Sequence, residues 1–364
     1  MRFLASLLFI TLILAGQCAV AGLIEEQVDL SVHISGEALS LQALIVRPGD
    51  DRPRPLAVIN HGAPRKADAR AEMSPRTYLA QAREFAQRGW VTVMFMRRGY
   101  GESEGDYVES TGKCDAPDYE KSGRASADDV RAVIKAMRKK PYVDGSKVIS
   151  VGQSAGGFAT VALTADPPPG LVGAISFAGG RGSAKPDEVC TPERLIKAFK
   201  TFGEDSRIPM LWVYAENDHF FSPALAKRFH QAFVSAGGQA RFIEASAFGA
   251  DGHSLFSAKG APIWTRYLDD YLQEQKLTAA LPPPSSVKRS VRYPDGLGAK
   301  GKEAFLKYLD GSDNKAFVMA SDGSFGWRTG RSDIDTAIEE ATEFCQENTR
   351  KRCDAVMINN DPVE

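Results

Sequence analysis

Apolar residues in this chain fall in short runs separated by stretches of helical period. Leu56–Asn60, Trp90–Met96, Lys147–Val151, Leu171–Phe177, Ile208–Tyr214 and Ala240–Glu244 are nearly continuous apolar or β-branched runs. They are too short for helices and read as strands buried on both faces. Thr77–Arg88, Arg124–Lys139, Pro223–Ala236 and Pro262–Glu274 repeat at helical spacing; in the second, Val130, Val133, Ile134 and Met137 share one face. Strand-helix alternation with apolar strands predicts a mostly parallel sheet covered on both sides. Gln27–His33 and Leu39–Arg47, joined at Ser35-Gly36-Glu37, alternate in places and predict an antiparallel pair at the start. Right-handed crossovers then bring the loops that follow the parallel strands to one edge of the sheet, where ligands bind.

The tightest junction is Gly152-Gln153-Ser154-Ala155-Gly156-Gly157, between the strand Lys147–Val151 and the small apolar run Phe158–Leu163. A G-x-S-x-G sequence with no loop on either side demands a sharp strand-to-helix turn. That turn strains the backbone at the serine and lifts its hydroxyl out of the sheet. Gly152 and Gly156 leave room for it, and the new helix aims its first amides at whatever the serine attacks.

Two further loops fall on the same edge. Ile208–Tyr214 runs into Ala215-Glu216-Asn217-Asp218-His219-Phe220-Phe221, and Ala240–Glu244 is followed by the glycine-rich Phe248–Phe256 carrying His253. A serine hydroxyl is a weak nucleophile until a base takes its proton. Histidine titrates near neutrality and can accept and return it, and a carboxylate fixes the imidazole tautomer. Ser154, His253 and Asp218 are therefore the candidate nucleophile, base and acid. Glu216 competes for the acid role on the same loop. Asp251 is close to His253 in sequence but poorly placed to reach its ring. His33, His61, His219 and His230 are the other histidines; His230 falls mid-helix, His33 in an early strand, and His219 beside Asp218 points away from it. The strand Leu56–Asn60 feeds His61-Gly62-Ala63-Pro64. The Ala63 amide, with that of Ala155, is the candidate oxyanion hole, and the His61 side chain is read as holding the loop.

The segment Arg97–Gly105 is glycine-dense and expected to be a tight exposed connection; its glycines do not match a phosphate-cradling loop. Residues Arg181–Glu204 show no clear sheet pattern, contain Cys190 and a short helical piece, and are expected to form a small cap over the site. Arg181, just after a strand on the active edge, reads as a substrate-carboxylate ligand or a surface arginine. No His-x-x-x-His, glutamate-rich or closely spaced cysteine pattern stands at metal-ligand spacing, and neither metal nor cofactor is expected.

The 364 residues suggest more than one domain, and a formal charge of −1 gives no reason to expect nucleic acid or an anionic membrane as partner. Met1-Arg2, the apolar run Phe3–Ala15 and Ala19-Val20-Ala21 read as a signal peptide, residues 1–21, too short to span a membrane comfortably. Lipidation at Cys18 is the competing reading, for which Gln17 is a poor fit. The mature chain is then expected to be periplasmic or extracellular, with no membrane span. Its four cysteines are expected to pair as Cys345–Cys353 and Cys114–Cys190, the latter tying two loops near the site.

From about Pro55 to Leu272 the chain resembles the α/β-hydrolases of the dienelactone hydrolase-like group. The matching motifs are His61-Gly-Ala-Pro, Arg98-Gly-Tyr-Gly-Glu-Ser-Glu-Gly, Gly152-Gln-Ser-Ala-Gly-Gly, Glu216-Asn-Asp-His-Phe-Phe and Asp251-Gly-His-Ser-Leu-Phe. The order serine, aspartate, histidine is that of the superfamily. The resemblance implies a Ser154–His253–Asp218 triad acting on a small-molecule ester or related acyl substrate. Dienelactone hydrolases often use cysteine as nucleophile; serine here points away from a dienelactone and toward an ester or peptide-like bond. The rivals are a prolyl-oligopeptidase-type serine peptidase and a catalytically silent hydrolase-fold binding protein.

Leu281-Pro-Pro-Pro-Ser-Ser opens a linker, giving a hydrolase domain over 22–277, a linker over 278–302 and a small α+β module over 303–364. In the module, Lys315–Ser321 reads as a strand and Asp322-Gly-Ser-Phe-Gly-Trp327 as a turn entering a second. Asp333–Thr349 reads as a helix capped by Ser332, and Ala355–Asn359 as a last strand. Its core is thin, so Cys345–Cys353 is expected to staple it. No chemistry is legible there; a stabilising or cell-envelope-contacting appendage is the expectation.

Overall fold

A computed structural model describes residues 22–50, 52–281, 293–311, 314–331, 334–359 and 361–363. The expected signal peptide, Cys18 and Ser332 lie outside the described residues. The chain divides into two compact units, 1–288 and 289–364.

Among the described residues the first unit holds an eight-stranded sheet. Its strands are β1 (Leu23–Ile34), β2 (Glu37–Pro48), β3 (Arg54–Asn60), β4 (Val91–Phe95), β5 (Val143–Gln153), β6 (Leu171–Phe177), β9 (Met210–Ala215) and β10 (Ala240–Ala245). A two-stranded hairpin, β7 (Ser183–Lys185) and β8 (Glu188–Val189), stands apart from it. Strand order is β1-β2-β4-β3-β5-β6-β9-β10. The pairings β1–β2 and β2–β4 are antiparallel and all the others parallel, which is the predicted mixed sheet.

The two-residue period of the strands sorts their side chains between two cores. On one face Val58, Val93 and Val148 pack under α2 (Tyr119–Met137), α3 (Ala155–Ala165), α4 (Pro192–Asp205) and α5 (Pro223–Ser235), through Val130, Phe158, Phe199 and Phe229. On the other, Ile59, Val151, Ile175 and Val213 meet Phe85 of α1 (Leu79–Gln87) and Trp264 and Leu268 of α6 (Ala261–Glu274).

Two expectations need correction here. The cap is shorter than predicted: residues 192–205 are the helix α4, whose Leu195, Phe199 and Phe202 are fully buried in the sheet-flanking layer. Only the hairpin segment before it departs from the sheet. The short helical piece expected in this stretch is a 14-residue helix of the layer that flanks the sheet. The segment Arg97–Gly105 is exposed only in its second half, at Glu102, Glu104 and Gly105; Arg97, Arg98 and Tyr100 are buried, because Glu109 and Asp129 pair with the two guanidinium groups.

The second unit is a four-stranded antiparallel sheet in the order β12 (Phe325–Arg328), β11 (Ala316–Ala320), β13 (Cys353–Ile358), β14 (Asp361–Pro362). Helix α8 (Ile334–Gln346) buries Ala337, Ala341 and Cys345 on it. Helix α7 (Ala299–Asp310), whose start lies in the stretch read as linker, sets Phe305 and Tyr308 against Phe317. Gly326 is required where α8 crosses, since a Cβ there would come within 2.1 Å of the Ala341 carbonyl. Both expected disulfides are formed, Cys114–Cys190 and Cys345–Cys353.

Candidate active site

Strand β5 enters α3 without a loop, and Ser154 sits on the turn with φ 55° and ψ −123°. A non-glycine residue in such a conformation costs about 1–3 kcal/mol and needs surroundings that hold it. They do so through the backbone: the Ser154 amide donates to the Phe177 carbonyl at 3.0 Å, and its carbonyl accepts from Phe158 and Gly180 at 3.0 and 3.1 Å. The flanking glycines are obligatory. A Cβ on Gly152 would lie 2.1 Å from the Gly156 carbonyl, and one on Gly156 would lie 2.1 Å from that of Asn60.

Asp218 follows β9 and is buried. Its Oδ1 accepts from the amides of Phe220 and Phe221 at 2.7 and 2.9 Å, and its two oxygens lie 3.2 and 3.0 Å from His253 Nδ1. That pairing leaves Nε2 as the His253 nitrogen without a protein partner among the described residues. The His253 ring stacks on Phe220, with centroids 3.8 Å apart, and the residue's carbonyl accepts from Gln153 Nε2 at 2.8 Å. The side chain preceding Ser154 thus holds the backbone of the histidine loop. The Ser154 hydroxyl and the imidazole are not hydrogen-bonded to each other in this structure.

The competing residues are engaged elsewhere. Asp251 Oδ1 accepts from the amides of His253 and His219 at 2.9 and 3.1 Å and joins the two loops. Glu216 is exposed, and its carboxylate faces the Ala247 amide. His219 Nδ1 lies 3.0 Å from Asp187 of the hairpin. His230 Nε2 bonds the Ala240 carbonyl.

His61 is fully buried. Its Nδ1 donates to the Gly62 carbonyl at 2.6 Å and its Nε2 accepts from the Arg97 amide at 3.1 Å, which fixes the neutral tautomer. Burial, followed by the Arg97 charge, holds this imidazole well below its ordinary pKa. The Gly62 amide donates to the Tyr78 hydroxyl, which in turn donates to Gln153 Oε1, each at 3.0 Å. Tyr78 and Gln153 therefore connect the loop bearing Ala63, the turn bearing Ser154 and the loop bearing His253. Nothing in the pattern of the chain marks Tyr78; Gln153 stood inside the serine motif without an assigned role.

Ser154, Ala63 and Ala155 line one cavity of about 200 Å³ with Arg65, Tyr107, Glu109, Thr111, Arg181, Ser183, Phe220 and Phe221. Neither the Ala63 nor the Ala155 amide donates to a protein acceptor among the described residues. One wall is charged. Glu109, wholly buried, takes Arg97 Nε, Arg181 Nη2 at 2.6 Å and the Tyr100 hydroxyl at 2.9 Å. Burial alone would raise the Glu109 carboxyl, but Arg97 and Arg181 outweigh it and hold it well below the carboxylate range. Arg181 is thus no surface arginine: it is only 7% exposed, and Glu109 determines that placement. The disulfide Cys114–Cys190 joins the two segments that supply this wall. Among the described residues no cluster of His, Cys, Asp and Glu could hold a metal ion, and no helix is long and apolar enough to cross a membrane.

A family model described as X-Pro dipeptidyl-peptidase (S15 family) matches residues 36–186. No curated protein matches the chain. Among solved structures, an esterase of Pyrococcus furiosus is 11% identical over 68% of this chain and 92% of its own, with a TM-score of 0.50. Esterase 2 of Thermogutta terrifontis is 16% identical over 74% and 99%, at 0.48. Dipeptidyl peptidase 4 of Porphyromonas gingivalis is 20% identical over 68% of this chain and 35% of its own, also at 0.48.

Proposed function

We propose that the chain is an α/β-hydrolase, on the family match over 36–186 and the sheet with its serine turn, and that it is a serine hydrolase cleaving a carboxylic ester or a related acyl bond. What supports this reading is the Asp218–His253 pair at 3.0 Å, on a loop whose His253 carbonyl accepts from Gln153, together with a Ser154 held at positive φ. Ser154 Oγ attacks the carbonyl carbon while His253 Nε2 takes its proton. The oxyanion accepts from the Ala63 and Ala155 amides, each contributing on the order of 3 kcal/mol. Collapse breaks the C–O bond, and the imidazolium returns the proton to the departing alkoxide. Water then repeats the sequence on the acyl-enzyme, His253 acting again as base. Asp218 holds Nδ1–H throughout and stabilises the imidazolium. The small cavity favours short acyl groups.

A fluorophosphonate probe tests this directly, because it reacts only with an activated serine. Labelling at Ser154, and loss of p-nitrophenyl acetate turnover in a folded Ser154→Ala variant, are expected. A variant that keeps turnover refutes the assignment and leaves the silent binding protein as the better reading. Peptide cleavage is the second reading, favoured by the family match over 36–186. Comparing an X-Pro chromogenic peptide with short-chain esters separates the two. We also infer an exported protein, supported by the two disulfides and by the charged and apolar start of the chain. In it a hydrolase body over 22–277 is followed by a connecting stretch and by a module, taking in helix α7 from Ala299, whose role is stabilising or envelope-contacting.

A further inference from the structure

We propose that Phe220 is a positioning residue for His253 and that Arg65 clamps it in place. The proposal rests on the triad reading above. The Asp218 carboxylate fixes the edge of the imidazole at Nδ1, but a hydrogen bond at one nitrogen leaves the ring free to tilt about that contact. Phe220 removes the tilt. Its ring lies parallel to the imidazole, with an interplanar angle of 12° and centroids 3.8 Å apart. The other face of Phe220 is covered by the Arg65 guanidinium, whose central carbon stands 3.6 Å from the ring centroid. Arg65 is anchored by Nη2 and Nε to Ser183 Oγ at 2.9 and 3.3 Å. Among the described residues it has no carboxylate partner, so its charge is directed at the aromatic face rather than neutralised.

The stack joins three parts of the site. Arg65 belongs to the loop that carries Ala63, Ser183 belongs to the hairpin tied by Cys114–Cys190, and Phe220 follows Asp218 by two residues with its amide on that carboxylate. The half-buried Phe220 is therefore held at its backbone by the acid and at its ring by the oxyanion loop. The positioning effect of the ring falls on kcat; Phe220 also lines the cavity, so a smaller change in KM accompanies it.

The test is steady-state hydrolysis of p-nitrophenyl acetate by full-length variants whose folding is checked by circular dichroism. Phe220→Ala and Phe220→Leu are expected to lower kcat about 10- to 100-fold and to change KM by much less, the KM change reflecting only the part of the ring that lines the cavity. Phe220→Tyr, which keeps the stacked ring, is expected to stay within about threefold of the parent, and Arg65→Gln to lower kcat about 3- to 10-fold. Leucine refills the volume without a planar face, so parental kcat in Phe220→Leu overturns the proposal, as does a change in KM alone in Phe220→Ala. If Phe220→Ala fails to fold, Phe220→Leu and Arg65→Gln decide the matter. Ser154→Ala run in parallel separates the two levels. An inactive Ser154→Ala with an unaffected Phe220→Leu sinks only the positioning role, whereas an active Ser154→Ala sinks the triad and the proposal together.

Discussion

Glu109→Gln tests the charged wall of the cavity most severely. Glu109 is the single carboxylate between two buried guanidinium groups, Arg97 at 0% and Arg181 at 7% exposure. Glutamine keeps the shape and loses the charge, and its amide NH2 must face one of the guanidinium donors. Removing the common partner of a buried ion pair costs about 3–5 kcal/mol, because the remaining charge stays desolvated; with two cations stranded, the upper end applies. Arg181→Met makes the contrast. It leaves Arg97 and Glu109 paired one to one. The Glu109 carbonyl keeps the Ser122 hydroxyl at 2.7 Å, and Oε2 keeps the Tyr100 hydroxyl at 2.9 Å. Arg181 Nε has no partner to lose. The expected cost is only about 1–2 kcal/mol, for a neutralised cluster with no orphaned acceptor. Urea unfolding followed by tryptophan fluorescence reads the first unit, since Trp90, Trp212 and Trp264, three of the four tryptophans, are buried in it. A loss for Arg181→Met equal to or greater than that for Glu109→Gln refutes the charge argument, as does a Glu109→Gln loss below about 1 kcal/mol.

The Cys114–Cys190 bond closes a loop across 76 residues, worth up to about 4.5 kcal/mol by chain entropy. Replacing both cysteines by serine should lower the urea midpoint of the first unit and raise KM, because the freed segments carry Thr111, Arg181 and Ser183; an unchanged midpoint contradicts this. For pH, His61 has a depressed native pKa against an ordinary value of 6.5. Above that value it is neutral in both states and contributes no slope. Below it the unfolded chain binds the proton first, so stability falls by up to about 1.4 kcal/mol per pH unit as pH drops. Urea titrations between pH 7.5 and 4.5 should show a shallower acid-side slope in His61→Asn, and parallel slopes would contradict the assignment.

The alternation of apolar strands with helices fixes the sheet from sequence because each strand is buried on both faces and carries no competing helical period. The serine turn is equally legible, since glycine is the residue that fits at 152 and 156. What could not be read is whatever depends on long-range partners. Arg97, Arg98 and Arg181 look like surface residues in a glycine-dense or irregular context. Only the distant Glu109 and Asp129 turn them inward, and a carboxylate in a loop carries no sign of its partner. The place of helix α4 was hidden for a related reason: a short helical piece is legible there, but that Leu195, Phe199 and Phe202 pack in the layer flanking the sheet follows only once α5 is known to lie beside it. Phe220 and Tyr78 are aromatic residues of ordinary appearance whose use lies in what they touch.

The buried His61 explains more of the site than its own chemistry suggests. A trans peptide unit points its carbonyl and its amide hydrogen in opposite directions. His61 Nδ1 draws the Gly62 carbonyl toward the protein interior at 2.6 Å, so the Ala63 N–H of the same peptide unit is turned the other way. The preceding unit is pinned at both ends: Arg97 Nη1 donates to the His61 carbonyl at 2.8 Å, and the Gly62 amide donates to Tyr78. The loop has no remaining backbone freedom with which to rotate the Ala63 amide away. Ala155 needs no such arrangement, because the first amide of a helix has no intrahelical acceptor. The oxyanion role assigned to these two amides thus requires a neutral imidazole on one side and a helix start on the other. Protonating His61 would remove the acceptor that Arg97 uses, and so disturb the loop, without touching the reacting groups.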